Sequence, residues 1–127
     1  MIKPSFQLLG ELERQIMEVV WRRDESTVRD IVEILRKKRT IAYTTVMTVM
    51  NRLADKNILR RKDHAGAFVY SSAEPRESFF RRASSSVIRK LIAECGDVAL
   101  AQFVEALDDV DPAKLAVLEK KLRQRRS

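Results

Sequence analysis

Three short runs of apolar residues at helical spacing, then a switch to extended spacing at Ile58, are the pattern that most narrows the fold. Leu12, Ile16, Val19 and Val20 predict a first helix over about Glu11–Trp21. Glu11 and Glu13 suit the positive end of its dipole. Thr27-Val28-Arg29-Asp30 is similar to a capping box with Asp in the place of the usual Glu. Behind it, Val28, Ile31, Val32 and Leu35 predict a short second helix that Arg36-Lys37-Lys38-Arg39 closes. A third helix is expected over Tyr43–Lys56, with Val46, Val49, Met50 and Leu53 as its buried stripe. Thr44, Thr48, Asn51, Arg52 and Asp55 lie on its other face and Thr45 at the margin, and Asn57 suits a left-handed stop.

Two extended segments follow, Ile58–Lys62 and Phe68–Ser72, with a turn expected across Asp63-His64-Ala65-Gly66-Ala67. Phe68 and Tyr70 fall on one face of the second strand, the one expected to meet the core. From Glu74 the pattern is helical again. Phe79, Phe80, Ala83, Val87, Leu91 and Ile92 lead to Gly96, then come Leu100, Phe103, Val104 and Leu107. Asp111-Pro112 starts a last helix carrying Leu115, Leu118 and Leu122. The expected fold is mainly α: a winged helix-turn-helix (three helices and a β-hairpin wing) over residues 1–73, and a helical dimerisation region over residues 74–127.

Charge points to the partner. Between Arg36 and Lys62 stand nine basic residues against Asp55 alone, so this window carries +8 of a net +7, and the remainder sums to −1. Such a concentration is the footprint of phosphate contact. A helix in the major groove meets a distinct donor and acceptor pattern at each base pair. Thr hydroxyls donate or accept there, their methyls meet thymine methyls, Asn51 suits adenine, and Arg52 suits phosphate or guanine. An exposed face selected for helix stability alone would favour Glu, Lys or Ala over three threonines in five positions. The candidate DNA contacts are therefore Arg39, Tyr43, Thr44, Thr45, Thr48, Asn51, Arg52, Lys56, Arg60, Lys62 and His64.

The C-terminal helices hold more apolar surface than a short helical tail can bury alone. Phe79, Phe80, Leu91, Leu100, Phe103, Val104, Leu115 and Leu118 are expected to face a second copy of the chain in an isologous interface. Other classes are less favoured. One His, one Cys and no Gly-rich phosphate loop argue against an enzyme. Cys95, alone, makes neither an internal disulfide nor a Cys-rich metal site, and reads as a small, at least half-buried side chain. The Asp108-Asp109-Val110-Asp111 cluster reads as a polar loop capping the last helix, so neither metal nor cofactor is expected. No run reaches the ~18–20 apolar residues of a membrane span, and the N-terminal stretch lacks a secretory apolar core, so a cytoplasmic protein is expected. A non-specific architectural DNA binder and a protein-interaction module on a winged-helix scaffold are the competing readings.

Two motifs carry a resemblance. Leu9-Gly10-Glu11-Leu12-Glu13-Arg14-Gln15-Ile16-Met17 with Trp21, and Ala42-Tyr43-Thr44-Thr45-Val46-Met47-Thr48-Val49-Met50-Asn51-Arg52-Leu53 with Tyr70, resemble the penicillinase and methicillin-resistance repressors, the BlaI/MecI/CopY family, over nearly the whole chain. The resemblance implies a homodimeric repressor on a palindromic operator of double-stranded DNA, with Thr44, Thr45, Thr48 and Arg52 contacting it. Copper-responsive members carry Cys-x-Cys pairs near the C-terminus; this chain has none there. The β-lactam-responsive members are more similar, and in them induction involves a protease-type sensor and cleavage of an Asn–Phe bond in the dimerisation region. Gln102-Phe103 occupies the similar position here, with Gln for Asn.

Overall fold

The computed structural model describes residues 9–126, so the first eight residues of the stretch read for a secretory signal lie outside the described residues. Six helices and one hairpin follow in the order α1 (Glu11–Trp21), α2 (Val28–Leu35), α3 (Tyr43–Asp55), β1 (Leu59–His64), β2 (Ala67–Ser72), α4 (Arg76–Cys95), α5 (Asp97–Ala106) and α6 (Pro112–Arg125). A single 3₁₀ turn, Leu107–Asp109, separates the last two. The chain divides into two compact units, the first ending at Ser85 and the second starting at Ser86, a division that falls inside α4.

The first unit is a three-helix core with the hairpin at its side. Local chemistry fixes three of the helix ends. At the start of α1, Glu13 Oε1 accepts from the Gly10 N–H at 2.8 Å. At α2, Thr27 and Asp30 complete the box reciprocally: Thr27 Oγ1 accepts from the Asp30 N–H at 3.1 Å, and Asp30 Oδ2 from the Thr27 N–H at 2.9 Å. That backbone N–H, ahead of a small desolvation cost, holds the Asp30 carboxyl below the usual carboxylate range. At the end of α3, Asn57 takes the left-handed conformation (φ 63°), its N–H reaching the Ala54 carbonyl at 3.0 Å and the Ile58 N–H the Leu53 carbonyl at 2.9 Å. This double closure turns the chain directly into β1.

The apolar stripes of the three helices meet as expected. Ile16, Met17, Val20, Ile31, Val46, Met50 and Leu53 are buried, and Val49 is half-buried at the margin.

The hairpin differs from expectation. The first strand reaches two residues further toward the turn and the second one, and the turn is only Ala65-Gly66, both left-handed (φ 53° and 84°). Positive φ at both central residues is the turn whose twist matches paired strands, and Asp63 Oδ1 accepts from the Gly66 N–H to brace it. Antiparallel register pairs Leu59 with Ser72, Arg61 with Tyr70 and Asp63 with Phe68. Tyr70 is 1% exposed, as expected for the core face, but Phe68 is 50% exposed. It lies two residues, about 7 Å, further out along the strand, where the Arg61 guanidinium lies 4.6 Å from the centre of its ring.

Phe79 and Phe80, expected at a dimer surface, pack instead inside the first unit. Both rings stand 5.5 Å from Trp21 and 5.4 Å from each other, and Phe79 is 4% exposed. Trp21 Nε1 donates to the Glu74 carbonyl, tying the entrance of α4 to the end of α1.

In the second unit, no described side chain from Ser86 onward is buried. Phe103 is 52% and Val104 63% exposed, with Leu100 also exposed; Leu91, Leu115 and Leu118 are only half-buried. Cys95, expected at least half-buried, is exposed for the same reason. Asp111 caps α6 as expected, its carboxylate accepting from the Ala113 N–H at 2.8 Å, with Pro112 in the first turn. Among the described residues no helix is long and apolar enough to cross a membrane.

Replacing Thr27 by Ala removes one half of the α2 box and should cost about 1 kcal/mol of stability, measured as a lower melting temperature with an unchanged far-ultraviolet circular dichroism spectrum.

Candidate nucleic-acid interface

Burial of Val46, Met50 and Leu53 fixes the rotation of α3 and leaves Thr44, Thr45, Thr48 and Arg52 exposed along its outer face. Thr48 Oγ1 donates to the Thr44 carbonyl at 2.9 Å. Its proton is thereby committed to the helix, and the oxygen lone pairs and methyl are what it can offer a base edge: an acceptor for amino groups, and an apolar contact for a thymine methyl.

Asn51 departs from its expected use. It is half-buried, and its Oδ1 accepts from the Tyr70 hydroxyl at 2.9 Å and from Arg61 at 3.0 Å. Bidentate pairing to adenine needs the amide oxygen as acceptor, and here two donors within the fold already occupy it. Asn51 therefore joins α3 to the hairpin.

The cations fall into groups. Arg39, in the turn after α2, donates to Gln15 Oε1 of α1 at 2.9 Å. Lys56 at the end of α3 pairs with Glu13 at 3.2 Å. Partial burial pushes the Glu13 carboxyl up, but the Gly10 N–H and the Lys56 ammonium outweigh it, and the net shift is below the ordinary value. Arg60, Lys62 and His64 alternate along one face of β1, all exposed, with Lys62 3.9 Å from Glu25. An exposed pair at that distance holds a lysine only weakly.

Arg61, absent from the expected contacts, lies on the opposite face of β1, beside Tyr70. Between the start of α2, α3 and the hairpin is a notch of about 510 Å³, and Arg29, Tyr43, Met47, Asn51, Arg61 and Phe68 are among its walls. The signal that would have found Arg61 is the register: a two-residue turn at Ala65-Gly66 puts residue 61 opposite residue 70 and so on the face of Tyr70. Met47, another residue outside the expected set, is also exposed on this side of α3.

The penicillinase repressor family matches residues 9–124 of the chain. The transcriptional regulator BlaI of Mycobacterium tuberculosis is 35% identical over 119 residues, covering 87% of this chain and 83% of that one. An uncharacterised 16.5 kDa protein of Latilactobacillus sakei is 28% identical over 97 residues, 76% of this chain and 64% of its own. Among solved structures, the DNA-binding domain of the repressor BlaI superposes with a TM-score of 0.50 at 25% identity, covering 60% of this chain and 90% of that domain. The three-helix core, the hairpin at its side and the match over residues 9–124 agree: the chain belongs to the penicillinase-repressor family, the BlaI-like transcriptional repressors, and carries their winged-helix DNA-binding fold.

Proposed function

We propose that this chain represses transcription as a homodimer on a palindromic operator, in the manner of the β-lactam-responsive repressors, and is released when the dimer is lost. The observation that carries the dimer is the second unit, which buries no described side chain while Leu100, Phe103 and Val104 stand exposed on α5. Apolar surface of that kind needs a cover, and a second copy supplies it symmetrically. Leu91 of α4 and Leu115 and Leu118 of α6 complete the interface.

Two-fold symmetry sets the two α3 helices about 34–36 Å apart, or a multiple of it, to reach successive major grooves on one side of the duplex. Thr44, Thr45 and Thr48 read base edges, Arg52 holds a phosphate or guanine, and Tyr43 borders the reading face. Arg39, Lys56, Arg60, Lys62 and His64 supply the sequence-independent attraction. Joining two weak half-site contacts raises affinity through effective concentration, so loss of the dimer is enough to empty the operator. A protease-type sensor acting at Gln102–Phe103 would achieve this. Both residues are exposed, but they lie within α5, where Gln102 bonds to Glu105 at 3.0 Å. Cutting there requires α5 to unwind locally. The protein works in the cytoplasm, where its operator is.

The deciding experiment is recovery of bound duplexes from a random pool. A palindrome with half-sites one helical turn apart or a multiple supports the proposal; recovery without preference would favour an architectural binder. Thr48→Ala should lose about 1 kcal/mol of preference for the recovered site over random DNA, and an equal loss on both would remove Thr48 from the readers. Lys62→Ala should weaken both duplexes alike and reduce the salt slope by about 1. Phe103→Asp should shift sedimentation toward the monomer and weaken operator binding, leaving the melting of the first unit unchanged.

A further inference from the structure

We propose that Arg61 is a contact to the DNA backbone at the notch between α3 and the hairpin, and that Asn51 is the positioning residue that holds it there. The proposal deepens the DNA-binding reading above and rests on it.

The argument begins with the shape of the duplex. A helix in the major groove and a hairpin at the adjacent minor groove are separated by one sugar–phosphate strand, because that strand is what divides the two grooves. The phosphates of this strand must pass between α3 and β1–β2. The notch of about 510 Å³ lies at that place, with Tyr43 and Met47 of α3 on one side, Phe68 of the hairpin on the other and Arg29 from the first turn of α2 at its edge.

Arg61 is built for that position. Its guanidinium lies 4.6 Å from the centre of the Phe68 ring and donates to Asn51 Oδ1 at 3.0 Å, yet the side chain is exposed. It makes no ion pair among the described residues. A guanidinium has five N–H donors; the bond to Asn51 uses one and leaves a fork suited to two phosphate oxygens. Asn51 is fixed in turn by the Tyr70 hydroxyl at 2.9 Å, and Tyr70 is a core residue. The chain of contacts runs from core to Tyr70, to Asn51, to Arg61. A side chain ordered before binding loses less entropy on binding than one that must be ordered by it.

The test uses the full chain, fluorescence anisotropy and two duplexes, the site recovered by selection and a random sequence, over a series of salt concentrations. Arg61→Ala should weaken both duplexes by the same factor and lower the salt slope by about 1, with an unchanged melting temperature because the side chain is exposed. Arg61→Lys should keep the slope and still weaken binding severalfold, since it keeps the charge and loses the fork. Asn51→Leu should weaken both duplexes alike without altering base preference, and adding Arg61→Ala to it should cost little more. A wild-type slope in Arg61→Ala overturns the phosphate contact. A change of preferred base at one position in Asn51→Leu makes Asn51 a reader and overturns its positioning role. Failure of the wild-type chain itself to bind either duplex overturns the DNA reading, and this proposal with it.

Discussion

The wing stays where it is because of Tyr70. A two-stranded hairpin has little stability of its own in water, so its position must come from elsewhere. Tyr70 provides it three times over. Its ring is buried in the three-helix core, its backbone exchanges two hydrogen bonds with Ser26 at 2.8 and 2.9 Å, and its hydroxyl donates to Asn51 on α3. Ser26 is itself buried and immediately precedes the Thr27 cap of α2. One residue thus ties the start of α2, α3 and the hairpin together, and the relative placement of α3 and the wing follows from it.

The two units use their apolar residues differently. In the first, the stripes of α1, α2 and α3 close on one another, and the Trp21, Phe79 and Phe80 rings seal the entrance of α4. Its threonines and most of its cations lie on the surface. In the second, the apolar residues of α5 and α6 remain open to solvent. The same residue types therefore close a core in one half and, in the proposed dimer, serve association in the other. The difference lies in whether a neighbouring element within the chain reaches them.

Much of the first unit was legible in the sequence because period and capping agree there. The bounds of α1 and α2 follow from Leu12, Ile16, Val19 and Val20, and from the Thr27–Asp30 box, both local signals. Asn57 stops α3 as its side chain suggests. The hairpin was less legible because Ala65-Gly66 lacks the Asn-Gly or Asp-Gly signature of a tight turn. An Ala at φ 53° carries no compositional mark. That one ambiguity hid the register, and with it the face on which Arg61 lies. The place of Phe79 and Phe80 was hidden for another reason. Helical spacing gives the face of an element but not which partner covers it, and the partner, Trp21, lies far back in the chain. The bond that holds Asn51 was hidden too: its residue type suits adenine, while the hydroxyl that donates to it comes from a strand nineteen residues away.

If a second copy covers α5 and α6 as proposed, the exposure of these helices has a consequence for how much of the protein a cell must make. A segment whose apolar face is covered only by another copy has a stability set by mass action. At low copy number its helices are the part most often found open, and proteases act on open chains. Scarce chains are then removed faster than abundant ones. In the proposed dimer this would sharpen the threshold between a cell with enough repressor and a cell with almost none.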